Sequence, residues 1–261
     1  MPKLLRDLKS FHKTKKRDLP WRHTHDPYKI LVSEVMLQQT QALRVIPKYE
    51  TFLKKFPTPQ KLSKAKLSEV LKLWSGLGYN RRAKFLHEAA KIIAQEGFTG
   101  QKLPGVGPYT AAAVEAFARN KPTIFIETNI RTVFIHYCFK RRSDVLVPDI
   151  QILPLIKKAL KESKMQPRDF YAALMDYGSY LKQKGIKLNS RSRHYTKQSK
   201  FEGSYRELRG AILRAILKKP LTFDELTDLT DKNSKELASI VAALVKEGLL
   251  KLKNRRFSIL D

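Results

Sequence analysis

The sequence predicts an all-α protein that ends in a small winged-helix-like domain, with the wing as its only expected β structure. Three observations carry this expectation. Apolar residues recur at i, i+3 and i+4 through most of the first 200 residues. Proline and glycine fall where those periodic stretches break, at Pro57, Pro59, Gly76, Gly78, Pro148 and Pro167. Beyond residue 204, three short helical patterns are followed by two short strand patterns, the order of a winged helix-turn-helix.

Taken in order, the spacing predicts helices over 28–37, 42–56, 68–74, 81–94, 110–119, 129–139, 150–161 and 168–181. The stretch 181–200 then has seven Lys or Arg, no acid and little apolar period, so it reads as a basic loop. In the tail, helices are expected over 205–217, 223–229 and 234–247, the last with Ser234 as N-cap. Strands follow at 249–252 and 256–260, turning through Lys253, Asn254 and Arg255. The expected organisation is a helical domain over 1–180, a basic linker or DNA-contacting loop over 181–204, and a winged-helix-like domain over 205–261. Such a domain would lay 234–247 along a nucleic acid, with Lys232 and Lys235 near the helix start. Lys253, Arg255 and Arg256 would form its wing tip.

Charge narrows the partner. The 261 residues carry 52 Lys and Arg against 24 Asp and Glu, a net +28, of which +24 precedes residue 205. A hydrophobic content of 42% is enough for a packed core, which excludes a wholly disordered basic chain. No apolar run approaches the ~18 residues of a membrane span, and the first residues have no apolar signal core. A soluble, cytoplasmic protein is expected, nucleoid-associated in a prokaryote, with a polyanion such as nucleic acid as partner and no membrane. One cysteine, Cys138, excludes an internal disulfide, a zinc knuckle and a four-cysteine iron–sulfur cluster.

The most informative run is Leu103-Pro104-Gly105-Val106-Gly107-Pro108-Tyr109-Thr110, followed by an apolar helix. Glycines one residue apart permit a tight turn whose backbone N–H groups point outward. With the positive end of the next helix they suit a phosphate. Glu34 stands out for a different reason: it lies on the largely apolar run Ile30 to Leu37. Burial there would raise its pKa toward that of a general acid.

The hairpin string resembles that of the helix-hairpin-helix DNA glycosylases, and further blocks agree in order. Leu19-Pro20-Trp21-Arg22, Asp26-Pro27-Tyr28, Ser33-Glu34-Val35-Met36-Leu37-Gln38-Gln39-Thr40-Gln41 and Leu73-Trp74-Ser75-Gly76-Leu77-Gly78-Tyr79 with Arg81-Arg82-Ala83 are similar to the MutY type of that family. The resemblance covers roughly residues 5–180. It implies a two-lobed helical glycosylase that holds double-stranded DNA containing a mismatch or base lesion and flips the target base into a pocket. It assigns Glu34 as the acid that protonates the leaving base and handles water. Glu127 stands where the family has an Asp that stabilises the sugar cation, one methylene longer. Tyr109 occupies the position of the Schiff-base Lys of strand-cleaving members, and Tyr cannot form an imine, so base removal without strand cleavage is implied.

By the same resemblance, the DNA-binding set includes Gln38, Gln39, Gly105, Val106, Gly107, Tyr109 and Thr110; charge adds Arg81, Arg82, Arg191 and Arg193, with Lys182 and Lys184, as candidate phosphate neutralisers. Trp21, Arg22 and Leu37 would line the base pocket. No cofactor and no structural metal are expected, a monovalent cation at the hairpin being the sole ion this assignment admits. The chain should act as a monomer. Asn80 departs from the second Tyr of MutY, the four cysteines are missing, and the 8-oxoguanine-reading domain is replaced by the winged-helix-like tail. The excised base is therefore adenine, or a mispaired or oxidised pyrimidine. A non-catalytic DNA-binding protein on a degenerate glycosylase fold is the alternative, favoured by Glu127 and opposed by Glu34.

Overall fold

The computed structural model describes residues 1–139, 146–197, 200–230 and 234–261. Lys232 lies outside the described residues. Among them run thirteen α-helices: α1 Pro2–Lys15, α2 Pro27–Leu37, α3 Ala42–Lys55, α4 Pro59–Ser63, α5 Leu67–Trp74, α6 Arg81–Glu96, α7 Pro108–Arg119, α8 Thr128–Cys138, α9 Asp149–Ser163, α10 Pro167–Gln183, α11 Tyr205–Ile216, α12 Phe223–Thr230 and α13 Ser234–Lys246. Two strands follow, β1 Leu250–Lys253 and β2 Arg256–Ile259. The periodic segments are helical within a few residues of their expected ends. Two helices lacked a readable signal: α1 has nine polar or charged residues around its two buried leucines, Leu4 and Leu8, and α4 is a five-residue turn. No described helix is long and apolar enough to cross a membrane.

The chain forms two compact units, each assembled from separated segments. One comprises Met1–Glu34 with Val106–Lys197, the other Val35–Gly105 with Gln198–Asp261.

In the first unit, α8 and α10 pack closely over a core that includes Leu4 and Leu8, Ala113 and Ala116, Phe125, Ile130 and Val133 to Ile135, Ile152 and Ile156, and Phe170, Tyr171, Ala173 and Leu174. Phe125 and Tyr171 stack with ring centroids 3.8 Å apart. Of the glycines, Gly178 is the most tightly packed: an added Cβ would lie 2.3 Å from the Asn129 carbonyl oxygen. The basic stretch starts as helix, since α10 continues to Gln183 around the buried Leu181. It then turns through Asn189–Arg191, and Val147 bridges to Ser192 in parallel.

In the second unit, α3 turns Val45, Tyr49 and Phe52 inward, and α5 turns Leu67, Val70, Leu71 and Trp74 inward. The Phe52 and Trp74 rings meet edge-on at 6.2 Å. The tail has the winged-helix order. Leu208, Ile212, Leu226, Leu237, Ile240, Val241 and Leu244 are buried along its three helices. The wing is an antiparallel hairpin pairing Leu250 with Ile259 and Lys253 with Arg256, with Leu221 bridging Phe257 beside it. Asn254 and Arg255 both have positive φ, as a two-residue hairpin turn of matching twist requires.

Candidate active site

Glu34 is held on α2 with 5% of its surface exposed, beside the buried Ser33. Burial raises its pKa to about 7; a hydrogen bond from Tyr109 pulls it back and the charge of Glu127 adds to the rise. The Tyr109 hydroxyl donates to Glu34 Oε2 at 3.1 Å. Its ring packs edge-on against Phe125, centroids 5.6 Å apart, so Tyr109 is fixed at both ends. Burial and the neighbouring carboxylates hold the Tyr109 phenol well above its ordinary pKa, keeping it a donor.

Glu127 is the N-cap of α8. Its Oε1 accepts from the backbone N–H groups of Asn129 (2.8 Å) and Ile130 (2.9 Å), and its Oε2 from the Asn129 side-chain amide (3.2 Å). The longer side chain thus reaches the donors that a shorter Asp or Ser usually caps, and the extra methylene leaves the carboxylate anchored. Lys182 Nζ, from α10, donates to Asn129 Oδ1 at 2.8 Å. Burial pushes the Glu127 carboxyl up, against the pull of the two backbone donors, Lys182 and Arg131. Burial lowers the Lys182 ammonium, with Glu127 opposing the shift. Glu34, Tyr109 and Glu127 all belong to the first unit. Two carboxyls sharing one buried region, one of them tuned to about 7, form an arrangement able to donate a proton and balance a developing positive charge.

The hairpin residues fall as their chemistry dictates. Gly105 has φ +70, and an added Cβ would lie 2.7 Å from Phe85 Cβ. Gly107 caps α7 in an extended conformation with open space around it, and Pro108 occupies the first helical turn. Gly105, Gly107 and Pro108 are exposed and Val106 is half-buried. Thr110 is 2% exposed, which removes its side chain from the expected DNA surface.

Two arginines also differ from expectation. Arg82, expected on a phosphate, turns its guanidinium inward. It donates to the carbonyls of Val35 (2.9 Å), Met36 (3.1 Å), Leu77 (3.1 Å), Gly78 (3.0 Å) and Gln38, and to Thr40 Oγ1 (3.3 Å). Five carbonyl acceptors on one cation explain the reversal, since helix ends leave their last C=O groups unsatisfied. Arg22, expected at the base, forms a two-pronged pair with Asp176, both N···O distances 2.6 Å, alongside Arg17. Charge alone in a sequence cannot distinguish such buried cations from surface ones.

The remaining expected residues are surface or boundary positions. Arg81 and Arg193 are exposed. Arg191 donates to the Phe139 carbonyl at 3.0 Å. Gln38 is half-buried and Gln39 exposed just beyond α2, Leu37 is half-buried at its end, and Trp21 is buried. Lys182, expected on phosphate, serves Asn129. The sequence reading missed Asn129, Asp176 and Gly178 as parts of the site's frame; only the Glu-Thr-Asn order at 127–129, a helix start with a capping acid, could have signalled the first. The residues present do not fit a four-cysteine cluster: the sequence has one cysteine, Cys138, exposed at the end of α8.

Comparison with known proteins adds the family context. Residues 32–145 match the model of the HhH-GPD superfamily base excision DNA repair proteins, so the chain carries an HhH-GPD domain. The adenine DNA glycosylase of Mycobacterium tuberculosis is 37% identical over 182 residues, which is 66% of this chain and 60% of that protein. The adenine DNA glycosylase of Buchnera aphidicola from Baizongia pistaciae is 42% identical over 136 residues, 49% of this chain and 38% of that one. The matches thus span about 40 to 60% of these relatives' lengths. Among solved structures, a thermostable thymine-DNA glycosylase superposes with a TM-score of 0.60 at 27% identity, covering 74% of this chain and 95% of its own.

Proposed function

From a chain that carries an HhH-GPD domain, we propose a monofunctional base-excision DNA glycosylase that hydrolyses the N-glycosidic bond of a mispaired base in double-stranded DNA. One observation carries the proposal: Glu34, buried and poised near neutrality, hydrogen-bonds Tyr109 and faces the charge of Glu127. In its protonated form Glu34 donates to a ring nitrogen of the flipped base. The C1′–N bond breaks with its electron pair leaving on the base. The capped Glu127 carboxylate balances the positive charge left on the sugar. Water then adds to C1′ and gives its proton to the Glu34 carboxylate, which restores the acid. Tyr109 supplies no amine, so the abasic strand stays intact.

Adenine is the proposed base, on the 37–42% identity to adenine DNA glycosylases. Thymine mispaired with guanine is the second reading, favoured by the fold neighbour matched over 95% of its length. The test is a panel of labelled duplexes carrying A·G, A·8-oxoguanine, T·G and U·G pairs, treated with alkali after incubation. Product from an adenine pair supports the first reading, and product from T·G alone moves the assignment to the second. No product from any duplex that the protein binds replaces the enzyme with a DNA-binding module.

A further inference from the structure

Within the second unit, the first tail helix and two turns of the HhH-GPD domain enclose a groove of about 1080 Å³. One side is the turn after α2, with Gln39, and the loop before α6, with Tyr79, leading into Arg81 at the start of α6. The opposite side is α11, with Arg206 and Arg214. We infer that this groove seats a DNA strand, and that α11, rather than α13 and the wing, is the tail's nucleic-acid-binding element. The inference rests on the DNA reading above and adds a site to it.

Several independent features converge here. Gln39 and Tyr79 are both non-glycine residues in the left-handed region, with φ 55 and 47, and both face this groove. Such backbone strain persists only where surrounding structure enforces it, as at binding sites. The enforcing group is Arg82, whose guanidinium bonds the carbonyls of Gln38, Leu77 and Gly78 and so pins both strained turns at once. Across the groove, Arg206 donates to the Tyr79 hydroxyl at 2.9 Å and lies over its ring at 5.5 Å. The tail helix is thereby docked on the strained tyrosine.

The charge is one-sided. Arg44, Arg81, Arg206 and Arg214 line the groove, while Glu247, the one acid among its described lining residues, is paired with Arg209 at 2.5 Å. Cations set beside aromatic faces match the alternating phosphates and bases of a strand. The wing offers less. α13 buries Leu237, Ile240, Val241 and Leu244, and Arg256 is held by the Pro220 carbonyl and Glu225, each at 3.1 Å.

Fluorescence anisotropy on the full chain with a labelled, unmodified duplex tests this across a salt series. The wild type should give a slope of log K against log salt of about −4 to −5 if some five phosphates are neutralised. Arg206→Glu with Arg214→Glu should weaken binding at least about tenfold and flatten the slope by roughly two; Arg214→Glu alone, at an exposed position, should flatten it by roughly one. Lys253→Glu with Arg255→Glu on the wing should leave the slope within about half a unit of wild type. Wild-type binding by the groove variants, or a larger loss from the wing variant, overturns the inference while leaving the DNA reading intact. Failure of the wild type to bind any duplex overturns both.

Discussion

The hydroxyl of Tyr109 donates a 3.1 Å hydrogen bond to Glu34 Oε2, coupling the hairpin helix to the buried acid on α2. The bond lowers a Glu34 pKa that burial otherwise raises, leaving it at about 7. It thus sets how much of the acid is protonated at neutral pH.

Removing that bond should move the pH profile. In Tyr109→Phe the opposing pull is lost, so the Glu34 pKa rises further. If protonated Glu34 drives excision, the rate falls as pH climbs through this value. Single-turnover rates on a mismatched duplex should show that descending limb shifted to higher pH by about one unit. A limb that stays in place would separate Tyr109 from the acid's titration.

Glu34→Gln should act in opposite directions on rate and on stability. Excision should fall by at least ~10²-fold with DNA affinity retained. Stability should rise. The folded pKa lies above the unfolded one, near 4.5, so the native state is penalised as pH rises from about 4.5 to about 7, and the full penalty remains above that. Replacing the acid removes a penalty of up to about 3 kcal/mol. Urea unfolding of both proteins at pH 8 and at pH 4.5 should show the gain at the first pH and little at the second.

Much of this architecture is legible in the sequence, for a physical reason. Helices such as α3 and α5 bury a stripe whose 3.6 period is written locally, and the hairpin and Glu34 lie in short contiguous strings. Partners far apart in sequence leave no local trace. Asp176 and Arg22 are 154 residues apart, and Lys182 and Asn129 are 53 apart. The place of Arg82 is not legible in this way, because a basic residue after a glycine-rich loop looks the same in sequence whether it meets phosphate or five buried carbonyls. The α11 groove was likewise unreadable, since its walls are more than 100 residues apart.

The capping role of Glu127 separates charge from scaffold. Glu127→Gln keeps a side-chain oxygen for the Asn129 and Ile130 N–H groups, so α8 should remain capped and the melting temperature nearly unchanged. The neutral amide cannot balance a sugar cation, and the single-turnover rate should fall by ~10²-fold or more. Glu127→Asp keeps the charge and caps well but withdraws it toward the helix. Its rate should lie between those of wild type and Gln. Equal rates for all three would remove Glu127 from the chemistry.

Two glycines should give contrasting phenotypes when changed to alanine. Gly178 lies against α8, where a Cβ would stand 2.3 Å from the Asn129 carbonyl oxygen, a distance that backbone on both sides cannot absorb. Separating α10 from α8 costs about 1–3 kcal/mol or more. It also moves the turn on which Asn129, Glu127 and Lys182 meet. Gly178→Ala should therefore lower the melting temperature, and slow excision even at temperatures where the variant is fully folded. Gly107 meets nothing within 4 Å and already has an ordinary φ of −80, so Gly107→Ala should melt like wild type. Its methyl would stand on the exposed hairpin surface, where a phosphate must approach backbone N–H groups closely. Binding to duplex should weaken there, with the single-turnover rate on saturating DNA largely retained. Calorimetry and anisotropy on the pair decide the matter: unchanged DNA affinity in Gly107→Ala would remove the hairpin from the DNA surface, and a stable, active Gly178→Ala would mean that the α8–α10 contact does not position Glu127.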